Sequence, residues 1–155
     1  MTSEYPTPNT PLGEQAEMLY QQGYEAYQQH QFSTAHQLLE QSLPLYQEAQ
    51  HTPGVLRVLH VLGNIACEEG QYTTARALHE EIIAACHALN FQQGIASSLN
   101  NLGLVAGKEG QFAEGCALLE ESIQIYQALG QLQEATAAQA NLESLRQRQA
   151  SDTVT

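Results

Sequence analysis

The segment LGNIACEEGQYTTARALHEE at residues 62–81 returns as LGLVAGKEGQFAEGCALLEE at residues 102–121, and this repetition determines the predicted architecture. Gly63 of the first copy becomes Gly103 in the second, and a fainter copy that includes Gly23 lies the same distance upstream. A fixed period of this length is typical of proteins built from stacked repeats. The sequence therefore predicts three repeats, repeat 1 at 15–54, repeat 2 at 55–94 and repeat 3 at 95–134, followed by a capping helix at 135–148.

Each repeat contains two predicted helices. Apolar residues recur at intervals of three and four, for example Leu59, Leu62 and Ala66, as on one face of an amphipathic helix. This first helix, helix A, ends near Gly70 or Gly110, where a residue that can adopt positive φ lets the chain turn. A second periodic stretch, helix B, follows each turn. The pattern predicts an all-α solenoid of antiparallel helix pairs.

Small residues predict close contact between the two helices of a pair. Gly63 and Gly103 lie in the middle of helix A, where glycine costs about 1 kcal/mol relative to alanine. Ala75 and Gly115 lie on the facing helix B. We expect close approach of the two backbones to offset the cost of the glycines.

The two ends of the chain have compositions unlike the repeats. Residues 1–14 carry Pro6, Pro8 and Pro11 among Thr, Ser and Asn, which predicts a disordered tail. Residues 149–155 are expected to form a frayed C-terminal tail. Pro44 lies inside helix B of repeat 1, where it removes a backbone donor and predicts a bend.

Charge limits the classes of partner. Five Lys and Arg residues against 17 Asp and Glu residues give a formal net charge of -12, so the surface repels phosphate on average. We therefore expect no nucleic-acid or membrane partner. The sequence has neither a long apolar run nor a secretory signal, and its three cysteines are far apart, so we expect reduced thiols and a cytoplasmic location.

No catalytic or cofactor motif is visible. The six histidines form neither an H-E-x-x-H pattern nor a dense cluster with cysteine, so no metal site is predicted. A phosphate-binding G-x-x-x-x-G-K-[ST] loop and a G-x-S-x-G elbow are both missing from the sequence. We expect a protein that is not an enzyme and needs no cofactor.

The repeat resembles the tetratricopeptide repeat, whose pattern is W-x2-L-G-x2-Y, then A-x3-F, then P. Leu59 takes the Trp place, Leu62 and Gly63 the Leu-Gly place, Ala66 the Tyr place and Ala75 the alanine place. The same places in repeat 3 are occupied by Leu99, Leu102, Gly103 and Ala106, and the Phe place holds His79 in repeat 2 and Leu119 in repeat 3.

This chain departs from that pattern in three ways: its period is 40 rather than the usual 34, its anchors are mostly aliphatic, and the terminal proline is missing. The longer unit is similar to the repeats of kinesin light chains, spindle-orientation adaptors and bacterial regulators. The resemblance implies a right-handed solenoid whose concave groove binds a peptide or protein segment. The expected function is therefore a non-catalytic protein-interaction scaffold.

In such a stack the A helices line the concave surface, and the fifth, ninth and twelfth positions of each helix A share one face. The groove is therefore expected to run from an aromatic end, through a polar middle, to a more apolar end. Asn64 stands where peptide-binding members of the family carry a peptide-holding asparagine, and Arg57 lies one turn before His60. The candidate binding residues are Tyr20, Tyr24, Tyr27, Arg57, His60, Asn64, Asn100 and Leu104.

Two alternatives remain open. The array could be a self-assembly module in which the uncapped side of repeat 1 pairs with a second copy, making a homo-oligomer. It could instead be a receptor for a small signalling peptide, by analogy with bacterial helical-repeat regulators. For either kind of protein or peptide partner, the charge of -12 favours one with a basic segment.

Overall fold

The computed structural model describes residues 10–153. These residues contain helices and no strand, so the predicted all-α repeat fold is confirmed. The helices, in chain order, are α1 (Pro11–Gln28), α2 (Phe32–Glu48), α3 (Thr52–Glu68), α4 (Tyr72–Ala88), α5 (Gln92–Lys108), α6 (Phe112–Ala128) and α7 (Leu132–Asp152). Helices α1, α3 and α5 are the predicted A helices, and α2, α4 and α6 are the B helices.

The chain divides into two compact units, Met1–Glu69 and Gly70–Thr155. The N-terminal unit contains α1, α2 and α3, and each of these helices packs against the other two. In the C-terminal unit, α5 packs against α4, α6 and α7, and α6 also packs against α7. The boundary falls in the turn between the two helices of repeat 2.

Turns with positive φ separate the helices at a regular spacing. The predicted turn glycines Gly70 and Gly110 have φ of 77° and 79°. The equivalent turn after α1 uses a non-glycine residue, His30, with φ 58°. In this turn the amide of Gln31 donates to the carbonyl of Ala26 at 2.9 Å, a bond that closes the helix end and fixes where α2 begins.

The predicted ends need correction. Helix α1 begins at Pro11 rather than at residue 15, because the Thr10 hydroxyl accepts a 3.1 Å hydrogen bond from the amide of Gly13 and proline suits the first helical position. Helix α7 continues to Asp152, past the predicted start of fraying at residue 149, since it contains neither glycine nor proline. The part of the predicted tail at residues 1–9 lies outside the described residues.

Close packing inside the C-terminal unit confirms the expectation for Gly103. A Cβ atom on Gly103 would lie 2.7 Å from Cγ of Leu119 and 3.0 Å from the carbonyl oxygen of Gly115. A Cβ atom on Gly115 would lie 2.8 Å from the carbonyl oxygen of Gly103. The two backbones therefore approach so closely that no side chain fits between them.

A buried serine ties helix B to helix A in repeats 1 and 3. The Ser42 hydroxyl donates to the carbonyl of Ala16 at 2.8 Å, and the Ser122 hydroxyl donates to the carbonyl of Ala96 at 2.7 Å. Repeat 2 has Ile82 at the equivalent position, and this side chain is also buried. The contact between helix A and helix B is therefore polar in repeats 1 and 3.

Candidate functional site

Three tyrosines form a row along one face of α1. Tyr20 and Tyr24 are stacked, with ring centroids 6.0 Å apart and planes 15° apart, and the Tyr27 ring follows 6.1 Å from that of Tyr24. The spacing of four and then three residues places all three side chains on the same side of the helix. Tyr20 is buried, Tyr27 is partly buried, and Tyr24 is 37% exposed. We call these residues the tyrosine row.

Contacts with α3 and α2 hold the Tyr27 end of the tyrosine row. Tyr27 is hydrogen-bonded to Asn64 on α3, and its ring lies 6.2 Å from the ring of Phe32 on α2. Burial raises the pKa of the Tyr27 hydroxyl, as does the negative charge of Glu68, while the hydrogen bond to Asn64 lowers it. The Tyr27 hydroxyl is therefore neutral at physiological pH.

An ion pair between α1 and α3 holds the Tyr20 end of the tyrosine row. Arg57 donates to both carboxylate oxygens of Glu17 and, at 3.0 Å, to the Tyr46 hydroxyl, which itself donates to Glu17. The guanidinium carbon of Arg57 lies 4.4 Å from the centre of the Tyr20 ring, an arrangement in which the cation is attracted to the ring face. We call Glu17, Tyr46 and Arg57 the Arg57 cluster.

The Arg57 cluster shifts the pKa values of its members. Burial by itself raises the pKa of Glu17, but the hydrogen bonds from Arg57, Tyr46 and Gln21 outweigh burial and lower this pKa to about 2. Burial and the bond to Glu17 raise the pKa of Tyr46. Burial lowers the pKa of Arg57, but the bond to Glu17 and the charges of Tyr46, Glu17 and Tyr20 together outweigh burial, so the net shift is upward. At neutral pH the cluster is therefore an ionised Glu17–Arg57 pair beside a neutral phenol.

His60 lies on α3 between the Arg57 cluster and Asn64. It is three residues after Arg57 and four before Asn64, so the three side chains share one face of the helix. Burial lowers the pKa of His60, which keeps its imidazole neutral at physiological pH. The N-terminal unit thus brings together six of the eight predicted residues, on adjoining faces of α1 and α3.

The other two predicted residues lie in the C-terminal unit. The side chain of Asn100 on α5 accepts a 3.1 Å hydrogen bond from Asn141 of α7 and donates to Asn101 at 3.4 Å. Leu104 lies one turn further along α5 and is partly buried. The amide of Asn100 is therefore already engaged within its own unit, while Leu104 offers an apolar side chain on the same helix face.

Sequence reasoning missed Glu17, Tyr46 and Asn141. The signal for Glu17 was present, because it precedes Arg57 by one full repeat period and has the opposite charge. Residues one period apart occupy equivalent positions on successive A helices, so opposite charges there predict an ion pair. Asn141 follows Asn101 by one full period, so its position on the helix equivalent to α5 could be predicted, and its amide donates to Asn100 beside that position.

The described residues add three further observations on possible sites. Within residues 10–153, no group of three or more His, Cys, Asp or Glu side chains is arranged to hold a metal ion. No helix in this range combines the length and apolar composition needed to span a membrane. A shallow cleft lies beside Phe112 and Arg148, but the guanidinium of Arg148 already donates to the carbonyl of Gly107 at 3.1 Å.

Comparison with known proteins agrees with the repeat pattern. The family model for the tetratricopeptide repeat matches residues 55–90 and 95–129, which cover helices α3 and α4 and then α5 and α6. No curated protein matches the chain. Tetratricopeptide repeats generally mediate protein–protein interactions, and all-α scaffolds of this kind are typically non-enzymatic. Residues 55–90 and 95–129 are therefore tetratricopeptide repeats.

Proposed function

We propose that the tyrosine row, together with His60 and Asn64, is a binding face for an extended segment of a partner protein or peptide. The protein would then act as a non-catalytic adaptor that holds its partner without changing it chemically. This proposal is more specific than the general role of tetratricopeptide repeats, because it assigns the binding to named side chains of the N-terminal unit.

The observation that carries the proposal is the position of Tyr24 between two anchored neighbours. Tyr20 is fixed by Arg57 and Tyr27 by Asn64, while the ring of Tyr24 between them is 37% exposed. A tyrosine held in this way can stack on a ligand and lose little side-chain entropy. The row therefore offers a preorganised aromatic surface.

The polar residues beside the row have complementary roles. An asparagine amide can both donate to and accept from a peptide backbone, and a neutral imidazole offers one donor and one acceptor. Asn64 and His60 are thus suited to hold the main chain of the segment while Tyr24 contacts a side chain. Arg57 acts indirectly, because its charge is paired with Glu17 and its guanidinium holds Tyr20.

Asn100 and Leu104 are candidate binding residues of the C-terminal unit. They lie on one face of α5, and Leu104 supplies an apolar surface for a partner side chain. We propose that they form a second, separate binding surface on the C-terminal unit. Substitution of Leu104 by serine, tested separately from the tyrosine variants, measures whether the C-terminal unit contributes to affinity at all.

The proposal is tested by affinity purification from the native lysate with the tagged wild-type protein and two variants. Tyr24→Ala removes the exposed ring of the row, whereas Met18→Ala removes a 56% exposed side chain from a different side of the same helix. We expect specific partners to be lost with Tyr24→Ala and kept with Met18→Ala. Equal recovery of the same partners by all three proteins would contradict the proposal.

Self-assembly through repeat 1 has less support. Val58, Val61 and Ile65 of α3 are buried, but the equivalent positions of α1, one period earlier, are Met18, Gln21 and Glu25, and all three are exposed. Two of these three positions, Gln21 and Glu25, are polar, which suits contact with solvent. We expect light scattering to show a monomer.

We also propose a cytoplasmic location, which is consistent with three cysteines that form no disulfide.

A further inference from the structure

The N-terminal unit already contains one contact between a cation and the tyrosine row. Arg57 lies over Tyr20 at 4.4 Å, and Glu17 supplies the balancing charge. Tyr24 continues the row with its ring nearly parallel to that of Tyr20. Tyr24, which is 37% exposed, therefore offers solvent an aromatic ring of the same kind as the one that holds Arg57 within the unit.

The charge of the N-terminal unit leaves this exposed part without a cation of its own. Residues 1–69 contain eight glutamates and one arginine. The single arginine, Arg57, is fixed on Tyr20 by its ion pair with Glu17, so the unit has no second lysine or arginine to place on Tyr24 or Tyr27. The negative charge of Glu68 also reaches the Tyr27 hydroxyl and raises its pKa. The row thus lies in a region of negative charge.

We infer that the rings of Tyr24 and Tyr27 receive a lysine or arginine side chain from the bound segment. This inference rests on the proposed binding face and names the chemistry of its partner. A cation over an aromatic face gains from the ring quadrupole, and the surrounding glutamates add an attraction that weakens with salt. An acidic segment would be repelled by the same charges, and a neutral apolar segment would gain only from contact with the rings.

The test uses a display library of random dodecapeptides as the probe. Peptides selected on the wild-type protein at moderate salt are expected to be enriched in arginine or lysine. One selected peptide is then synthesised in two forms, with its central arginine kept or replaced by citrulline, which has nearly the same shape and no charge. We expect the citrulline form to bind about fivefold more weakly to the wild-type protein.

Two variants of Tyr24 test whether the preference for the arginine form of the peptide depends on the aromatic ring. Tyr24→Phe keeps the aromatic face and should keep the fivefold difference between the arginine and citrulline forms. Tyr24→Leu keeps an apolar side chain without a ring, and the difference should fall to about twofold. Because Tyr24 is partly exposed, both variants are expected to fold, which the far-ultraviolet circular dichroism spectrum verifies.

The outcomes separate this inference from the proposed function. Selected peptides that lack basic residues, or that bind equally well in the citrulline form, would overturn the inference. If such peptides still bind Tyr24→Leu more weakly than wild type, the proposed binding face stands. Peptides that bind all variants equally, or a library that yields no binder, would contradict the binding face itself.

Discussion

Glu17 of α1 accepts hydrogen bonds from both terminal nitrogens of Arg57 on α3, one repeat period further along the chain. This pair joins two successive A helices and holds the guanidinium of Arg57 over the ring of Tyr20. Both side chains are mostly buried, with 19% of the Glu17 surface and 15% of the Arg57 surface exposed. The pair therefore supports the proposed binding face from within the N-terminal unit.

Replacing Glu17 by glutamine should destabilise the N-terminal unit. The substitution keeps the shape of the side chain but leaves Arg57 partly buried without its counter-charge, at a cost of about 2 to 3 kcal/mol. The measurement is the urea unfolding midpoint followed by circular dichroism. Glu14→Gln, on the exposed first turn of the same helix, is the matched control and should change stability by less than about 0.5 kcal/mol. Equal effects of the two substitutions would contradict the structural role of the pair.

The contribution of Glu17 should disappear in acid. Its folded-state pKa of about 2 lies below the ordinary value of 4.5, so the carboxylate stabilises the fold fully above about pH 5. As the pH falls from 5 towards 2, the unfolded state binds the proton first and the stabilisation is lost. The difference in unfolding free energy between wild type and Glu17→Gln should therefore shrink by roughly 2 kcal/mol between pH 7 and pH 3. A difference that stays constant over this range would show that Glu17 has an ordinary pKa.

Two buried serines of the C-terminal unit should respond differently to alanine. The Ser122 hydroxyl donates to the carbonyl of Ala96, so Ser122→Ala should cost about 1 kcal/mol. The Ser98 hydroxyl is buried and has no hydrogen-bond partner within residues 10–153, so Ser98→Ala should be neutral or stabilising. Thermal unfolding of the two single variants measures the contrast. If Ser98→Ala were the more damaging substitution, this description of the polar contacts would be wrong.

Alanine at Gly103 should destabilise the protein although alanine favours helices. The added Cβ would lie 3.0 Å from the backbone oxygen of Gly115, which cannot move away as a side chain can. We expect a net loss of about 2 kcal/mol in urea unfolding. Gly23 occupies the same repeat position, but the three atoms nearest to an added Cβ there belong to the side chains of Leu38 and Leu39. Gly23→Ala should therefore cost clearly less, and equal losses would contradict the difference in packing.

Much of the fold could be predicted from the sequence, since the repeat period fixes which segments are equivalent. The turns at Gly70 and Gly110 could be predicted from the glycine residues alone. The turns at His30, Gln50 and Asn90 also have positive φ, and sequence reasoning did not identify them because other residues can adopt this conformation when the packing of the flanking helices requires it. The start of α1 was placed too late because the proline that begins the helix was interpreted as part of the tail.

The site was less predictable than the fold. The periodicity correctly grouped the three tyrosines on one face, because that grouping depends only on local helix geometry. The pairing of Arg57 with Glu17 depends on contact between two helices, and a charged residue on a predicted groove was therefore interpreted as a ligand contact. Which exposed side chains bind a partner stays a prediction, since the packing within the chain does not depend on what its surface binds.

The most direct test of the binding face is the dissociation constant of a purified partner segment, measured by isothermal titration calorimetry. We predict that Tyr24→Ala weakens binding at least tenfold, because a preorganised tyrosine is lost from the centre of the row. Met18→Ala, on a different side of α1, should leave the dissociation constant within twofold of wild type. If Tyr24→Ala binds as tightly as wild type, the tyrosine row is not the binding face.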